Sequence, residues 1–189
     1  MLEELALRCR SYRRFCEDEP VSLETLRELV DLARLAPSGA NRQPLKYMLA
    51  NEPQKNGLIF PCLSWATYLT GWRGPGEGEK PPAYIIVLGD RQVAPSVGYD
   101  HGFATQNILL GAVEAGLGGC VIGSVQREKL REALAIPERY EILHVIALGK
   151  PKETVVVEEV GPSGDVKYWR DEAGVHHVPK RKLEDIIVG

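Results

Sequence analysis

Cysteine is scarce in this sequence and follows no spacing pattern. The four cysteines, Cys9, Cys16, Cys62 and Cys120, form no C-x-x-C pair and no series typical of a disulfide-rich domain. The pattern gives no support to a disulfide framework. We expect reduced thiols that are buried and inert, with a nucleophilic cysteine as the alternative.

Long apolar segments are also missing. The longest one, around residues 108–117, is interrupted by Glu114, whereas a membrane-spanning helix needs about 20 predominantly apolar residues in succession. Glu3 and Glu4 precede any basic residue at the N-terminus, which is not the pattern of a secretory signal. We therefore expect no signal peptide, no membrane span and a cytoplasmic location.

The sequence has no excess of positive charge. It contains 23 lysines and arginines against 26 aspartates and glutamates, a net charge of -3, and we expect no nucleic-acid partner because such proteins carry the opposite balance. The basic residues are nevertheless concentrated near the two ends of the chain, within Arg8–Arg14 and Lys180–Lys182. Two small cationic clusters suit one small anion.

The common phosphate, metal and hydrolase motifs are absent. The Gly74–Gly78 stretch lacks the lysine and hydroxyl of a P-loop, and Gly116–Gly119 follows a predicted helix, where glycine ends the helix and does not hold a pyrophosphate. His176 and His177 are neighbours in a predicted strand, so their side chains point to opposite faces. We expect no metal site and, without a G-x-S-x-G elbow, no hydrolytic triad.

The composition is that of a folded globular domain, and the predicted helices and strands alternate without a regular βαβ period, which favours an α+β fold. Of the 189 residues, 44% are hydrophobic and 26% charged, which is ordinary for a globular protein, and we expect one domain over residues 1–189. Ser22 predicts the cap of an amphipathic helix that runs to about Ala33. The apolar run Ala83–Leu88 predicts a central buried strand. Further strands are predicted at 47–51, 120–122 and 141–148, and a further helix at 127–134.

Two other regions bear on assembly and on the C-terminal part of the fold. The segment from about Val97 to Leu117 is apolar on most faces and rich in small residues, which predicts a long, nearly fully buried helix that a second copy of the chain would help to cover. After Pro151, β-rich pieces at 154–160, 166–170 and 175–178 are separated by turn residues. We expect a β-hairpin meander within residues 151–180.

The Arg10–Phe15 segment is a candidate anion site. Arg10 lies three and four residues before Arg13 and Arg14, so helical spacing would place all three side chains on one face. Their mutual repulsion would be relieved by a bound anion. A solvated surface patch is the alternative.

The Ala36–Pro44 segment is a candidate for ligand recognition. A helix ends at Pro37 and enters a turn that combines amide, hydroxyl and glycine groups. Asn41 and Gln43 could each hold the edge of a planar heterocycle by paired hydrogen bonds. A turn with no ligand is the alternative.

With these segments in place, the sequence resembles the nitroreductase family of flavoproteins. The first two matches are Cys9–Phe15, which is similar to R-R-S-x-R-x-F, and Ala36–Pro44, which is similar to A-P-S-x-x-N-x-Q-P. Three more follow in order, at Asp100–Leu110, Gly116–Gly123 and Leu148–Pro151. The five matches span most of the chain.

The resemblance implies a fold and a set of cofactor contacts. The fold would be a central, mainly antiparallel sheet flanked by helices, in a homodimer formed through the long helix with FMN at the subunit interface. Arg10 and Ser11 would serve the FMN phosphate and ribityl end, with Lys180 or Arg181 closing on the phosphate. Arg13 would lie by the flavin N1 and O2 edge. The remaining contacts implied are Pro37, Ser38, Gly39, Asn41 and Gln43 along the side of the flavin, and the backbone at Ile122 and Gly123 near N5 and O4.

The implied activity is transfer of electrons from NADH or NADPH through FMN to a small acceptor such as a nitroaromatic, quinone or enone. No catalytic side chain is required beyond the electrostatic support of Arg13, because the flavin carries the chemistry. Two alternatives stay open: a specialised flavin enzyme of the same fold, of reductive dehalogenase or flavin-cleaving type, and a non-enzymatic flavin- or nucleotide-binding sensor. Cys9 stands where the family often has a first arginine, and the role of Asn56–Lys80 is also open.

Overall fold

The computed structural model describes all 189 residues of the chain. Its helices and strands are, in chain order, α1 (Leu2–Arg8), α2 (Leu23–Arg34), β1 (Leu45–Ala50), α3 (Pro53–Ile59), β2 (Ala83–Asp90), α4 (Asp100–Glu114), β3 (Gly118–Ile122), α5 (Arg127–Leu134), β4 (Tyr140–Gly149), β5 (Val155–Glu159), β6 (Trp169–Arg170) and β7 (His176–Lys180). Short 3-10 turns occur at Gly39–Asn41 and Phe60–Cys62. None of the helices is both long and apolar enough to span a bilayer.

The main sheet has four antiparallel strands in the order β1-β2-β4-β3. Every residue of β2 is buried, which confirms the prediction of a central strand from its uninterrupted apolar run. Because side chains alternate across a strand, Ile85 and Val87 pack on one face with α2 and α4, whereas Tyr84 and Ile86 pack on the other with α3 and α5. The expected sheet with helices on both sides is confirmed.

Helix α2 begins where its sequence predicts. The Ser22 hydroxyl accepts a hydrogen bond from the Thr25 amide at 2.9 Å, which satisfies one of the free N–H groups of the first turn. Leu26, Leu29 and Ala33 form the buried stripe of the helix. This stripe packs against α4 and the sheet.

Helix α4 is shorter than predicted. It covers Asp100–Glu114 and ends in a Schellman motif, in which the Leu117 amide bonds to the Ala112 carbonyl at 2.7 Å and Gly116 adopts a φ of 75°. Within the single chain one face of this helix is uncovered: Phe103 is 52% exposed, and Gly102 and Gln106 are exposed beside it. That a second copy covers this face stays a prediction.

The Arg10–Phe15 segment is extended and not helical. Ser11 pairs with Gly119 as an additional edge of β3, and the Tyr12 amide bonds to the Gly119 carbonyl at 3.1 Å. Glycine allows this close approach, since a Cβ on Gly118 would lie 2.5 Å from Cδ2 of Tyr12. The prediction that Arg10, Arg13 and Arg14 share a helical face is therefore wrong.

The C-terminal strands form a separate three-stranded sheet in the order β5-β7-β6. Strand β7 pairs in parallel with β5 and antiparallel with β6, so β6 and β7 form the only hairpin and the predicted meander is not formed. The long connection after Glu159 leaves β5 free to accept β7 instead of β6. His176 and His177 do point to opposite faces of β7, as their adjacency predicts.

Candidate functional site

A cavity of ≈ 370 Å³ lies where the N-terminal extended segment meets the C-terminal sheet. Arg10, Ser11 and Arg13 line it from one end of the chain, and Lys180 lines it from the other. Their convergence depends on the pairing of Ser11 with β3 and on the position of β7 in the small sheet. The structure thus brings together Arg10 and Arg13 of one cationic cluster and Lys180 of the other, which the sequence places some 170 positions apart.

The charge in this cavity is not balanced by the protein. No aspartate or glutamate lines it, and none of its cationic side chains is in a salt bridge. Arg10 donates from Nη2 to the Ala6 carbonyl at 2.6 Å, while its Nε is buried with no hydrogen-bond partner. A buried donor without a partner is costly, and an anionic ligand would satisfy it.

Neutral groups hold the side chain of Arg13. Its Nη1 lies 3.1 Å from Nε2 of His176 and 3.2 Å from the Ser11 carbonyl, and its guanidinium carbon lies 4.7 Å from the centre of the Tyr168 ring. Burial and, after it, the cation of Arg13 lower the pKa of His176 to about 4. His176 is therefore uncharged at neutral pH, and Arg13 keeps its full charge toward the cavity.

Tyr168 and His176 are site residues that the sequence analysis did not identify. His176 is 1% exposed, whereas His177, on the opposite face, lies between the carboxylates of Glu158 and Asp171. The alternation of β7 indicated that one of the two histidines faces inward. No local pattern indicated that Arg13 would be its partner.

The Pro37–Gln43 loop is held by a buried carboxylate. Asp100, at the start of α4, accepts hydrogen bonds from the Ser38 hydroxyl at 2.6 Å and from the Gly39 amide at 2.9 Å. The Ser38 hydroxyl in turn accepts from the Gln43 amide at 2.9 Å. These contacts fix the loop although three of its non-glycine residues have a left-handed φ: Ala40 (50°), Asn41 (53°) and Gln43 (53°).

The loop presents polar groups to the outside of the chain. The side chains of Asn41 and Gln43 are exposed and joined by a bond of 3.1 Å from Gln43 Nε2 to Asn41 Oδ1. Pro37, Ser38 and Gln43 line a smaller cavity, of ≈ 210 Å³, which does not include Arg10 or Arg13. Within one chain, the two predicted halves of the site are therefore not parts of one pocket.

The other predicted contacts also lie outside the cationic cavity. Ile122 is buried at the end of β3, and the Gly123 carbonyl accepts a bond from Nη2 of Arg127 at 3.3 Å. Arg181 is exposed and does not line the cavity, whereas Lys180 does. The geometry thus favours Lys180 over Arg181 as the partner of Arg10.

The Asn56–Lys80 region packs against the C-terminal sheet through its aromatic residues. The Tyr68 ring lies 5.0 Å from that of Tyr168, and Arg170 lies 5.1 Å above the Trp72 ring. Tyr168 also belongs to the cavity wall. This region therefore contacts a residue of the cavity wall, Tyr168.

The thiols and the remaining histidines form no evident second reaction centre. All four cysteines are free, and burial raises the pKa of Cys120 to about 11. His144 bonds to the Thr105 hydroxyl at 2.8 Å, and burial lowers its pKa to about 4. No group of three potential ligands could hold a metal ion.

Most of the chain is similar to known proteins of one family. The model of the family described as "Nitroreductase family" matches residues 7–68 and 79–150. A protein of Archaeoglobus fulgidus, provisionally named an NADH dehydrogenase/NAD(P)H nitroreductase, is 29% identical over 149 residues, which are 74% of this chain and 80% of that protein. The match to the family model ends just before the small C-terminal sheet.

Solved structures show the same fold. An FMN-dependent nitroreductase of Clostridium difficile has a TM-score of 0.63 and 24% identity over 79% of this chain and 87% of its own. A nitroreductase family protein of Streptococcus pneumoniae has a TM-score of 0.70 and 19% identity, and the match covers 100% of both chains.

The Asp100 contacts generate a stability prediction. Asp100→Ala removes the acceptor of two loop hydrogen bonds, and we expect the free energy of unfolding to fall by about 2 kcal/mol, as for lost hydrogen bonds to a charged group. Chemical denaturation measures the change. Asp31→Ala, which removes an exposed contact to Arg34 on α2, is the control and should leave the midpoint nearly unchanged. Equal effects of the two substitutions would contradict the anchoring role.

Proposed function

We propose, because this chain belongs to the nitroreductase family, that it is an FMN-dependent oxidoreductase that works as a cytoplasmic homodimer. It takes electrons from NADH or NADPH and passes them to a small acceptor such as a nitroaromatic, quinone or enone. The A. fulgidus relative carries a name that includes NAD(P)H nitroreductase, and the C. difficile structure is of an FMN-dependent enzyme. These names support the proposal without fixing the acceptor.

The cationic cavity is the observation that carries the proposal. Arg10, Arg13 and Lys180 meet there with the Ser11 hydroxyl, and no carboxylate neutralises them. The unpartnered, buried Nε of Arg10 fits a phosphate oxygen, which accepts strong hydrogen bonds from guanidinium groups. One phosphate needs one such cluster, which favours FMN over FAD, because FAD would also require a site for an adenylate.

Different residues of the chain would bind different parts of the cofactor. Arg10, Ser11 and Lys180 would bind the phosphate end, and the exposed amides of Asn41 and Gln43 would hydrogen-bond to the edge of a planar ring system. When bound, FMN supplies the hydride and electron chemistry of the reaction. Arg13 would favour the negative charge that reduction adds, because a fixed cation in a site shielded from water needs no rearrangement to stabilise it.

The first prediction from the proposed function concerns Arg13. In Arg13→Ala we expect either weaker FMN binding or, in FMN-saturated protein, reduction by NADH or NADPH that is roughly 30- to 1000-fold slower, equivalent to roughly 2–4 kcal/mol for one lost electrostatic contact. Stopped-flow measurement of flavin reduction isolates this step from the identity of the acceptor. Arg13→Lys, which keeps the charge, should retain part of the rate.

Three substitutions serve as controls for Arg13. His101→Ala, His144→Ala and Cys120→Ala should leave hydride transfer nearly intact, because none of these side chains lines the cationic cavity. An unchanged rate in Arg13→Ala would contradict the proposed role, as would abolition of the rate in one of the controls that still binds FMN. Steady-state oxidation of NADH and NADPH with a panel of nitroaromatic, quinone, enone and halogenated acceptors then separates a reductase from a dehalogenase and from a sensor.

The second prediction concerns the subunit interface. The exposed face of α4 carries Phe103 next to Gly102, and Tyr99, just before the helix, is 84% exposed. A second copy covering this face would also bring another Pro37–Gln43 loop near α4, since Asp100 anchors that loop to the same helix. We expect sedimentation at twice the chain mass of 20.9 kDa.

Phe103→Asp tests that interface directly. We expect it to weaken dimerisation by at least about tenfold, because a charge would replace an aromatic ring that the proposed interface would bury. Leu58→Asp is the matched control, since Leu58 is 47% exposed on α3, across the sheet from α4. A flavin-loaded, well-folded wild-type monomer at low micromolar concentration would refute the homodimer.

A further inference from the structure

The cationic cavity is completed by a part of the chain that the family match does not include. The match ends at residue 150, yet Tyr168, His176 and Lys180 come from β6, β7 and the residues before them and line the cavity. The role of Lys180 is to contribute one of the positive charges of the cavity. Tyr168 and His176 add no cation to the cavity, His176 because burial lowers its pKa to about 4, and they need a different explanation.

Both side chains contact one group, the guanidinium of Arg13. His176 Nε2 lies 3.1 Å from Nη1, and the Tyr168 ring lies under the guanidinium carbon at 4.7 Å and against the His176 ring at 5.3 Å. Arginine has no acceptor atom, so the His176 contact requires the lone pair of Nε2, with the ring proton on Nδ1. His176 is 1% exposed on a strand that pairs with both its neighbours, so burial and the Tyr168 ring confine the imidazole, whose Nδ1 has no hydrogen-bond partner within the chain.

We propose that His176 is a positioning residue, which orients the Arg13 guanidinium toward the ligand of the cationic cavity while leaving its charge unneutralised. The inference rests on the proposed function for the identity of the ligand. A carboxylate at the same place would hold the guanidinium more strongly but would cancel much of its charge. An imidazole acceptor and an aromatic face fix its direction without that loss.

The buried environment supports a neutral imidazole. Burial lowers the pKa of His176, and the cations of Arg13 and Arg170 and the neighbouring His177 lower it further, to about 4. Arg170 is itself paired with the buried carboxylate of Glu153 at 2.8 Å, and Tyr168 is the remaining titratable group against the ring. The Nε2 lone pair is therefore available throughout the neutral pH range.

The test compares three variants of the holoprotein. His176→Leu removes the acceptor and should weaken FMN binding about tenfold or more, whereas His176→Gln, whose amide oxygen can replace Nε2, should stay within a few fold of wild type. His177→Leu is the matched control: it changes the adjacent residue on the opposite face of β7, which contacts Glu158 and Asp171 and not the cavity. We expect it to lower the thermal stability of the sheet with little change in FMN affinity.

Two outcomes of the binding measurement would overturn the inference. One is wild-type FMN affinity in His176→Leu. The other is an equal loss in His176→Leu and His177→Leu, which would assign the effect to the stability of the sheet. A loss in His176→Leu that His176→Gln restores supports it.

A second readout does not depend on FMN. Nuclear magnetic resonance of the ligand-free protein follows the side-chain N–H groups of Arg13, whose resonances are assigned by comparison with Arg13→Lys. In the wild type these resonances should be resolved and protected from solvent exchange. In His176→Leu they should merge and lose that protection, whereas in His177→Leu they should not change. Unchanged resonances in His176→Leu would overturn the inference whether or not FMN binds. If wild-type protein binds no FMN, the proposed function fails, and this readout still decides whether His176 restrains Arg13.

Discussion

The carboxylate of Glu153 is the interaction on which the arrangement of the site depends. Its side chain is 1% exposed; it accepts a short hydrogen bond from the Arg13 amide and a second, of 3.2 Å, from the Arg14 amide, and it forms a salt bridge with Arg170 at 2.8 Å. One buried group thus ties the N-terminal extended segment to the C-terminal sheet. Since the cationic cavity lies between these two parts, its shape follows from that tie. Removing one partner of such a pair leaves a buried charge without compensation, which is strongly destabilising.

This carboxylate also explains how three cationic side chains can share a cavity. Glu153 binds the backbone of Arg13, and the side-chain charge it neutralises is that of Arg170. Arg10, Arg13 and Lys180 are left without acidic partners. In the folded chain this is an unfavourable concentration of positive charge, which a phosphate-bearing ligand would relieve. The stability of the protein and its affinity for an anion are therefore coupled.

The sequence predicted the regular parts of the fold better than the geometry of the candidate site. The apolar run of β2, the Ser22 cap of α2 and the extent of α5 follow from local preferences, and the structure confirms them. The extended form of Arg10–Phe15 was not predictable from the spacing of its arginines, because it is imposed by pairing with Gly119, over 100 residues away. The parallel pairing of β5 with β7 is likewise a choice among distant strands that turn residues do not determine. Resemblance to a family named Arg10, Ser11 and either Lys180 or Arg181 as neighbours, but it gave no role to His176, whose contact with Arg13 joins residues 163 positions apart.

The identity of the bound cofactor tests the account most directly. The protein should purify yellow, or take up FMN on reconstitution, and mass spectrometry of the small molecule released on denaturation should find FMN and no FAD. Titration of the ligand-free protein with FMN and with riboflavin should show that the phosphate contributes strongly to affinity, and that Arg10→Ala abolishes most of this difference. A protein that cannot be reconstituted with FMN, or one that binds riboflavin as tightly as FMN, would contradict the assignment of the cationic cavity.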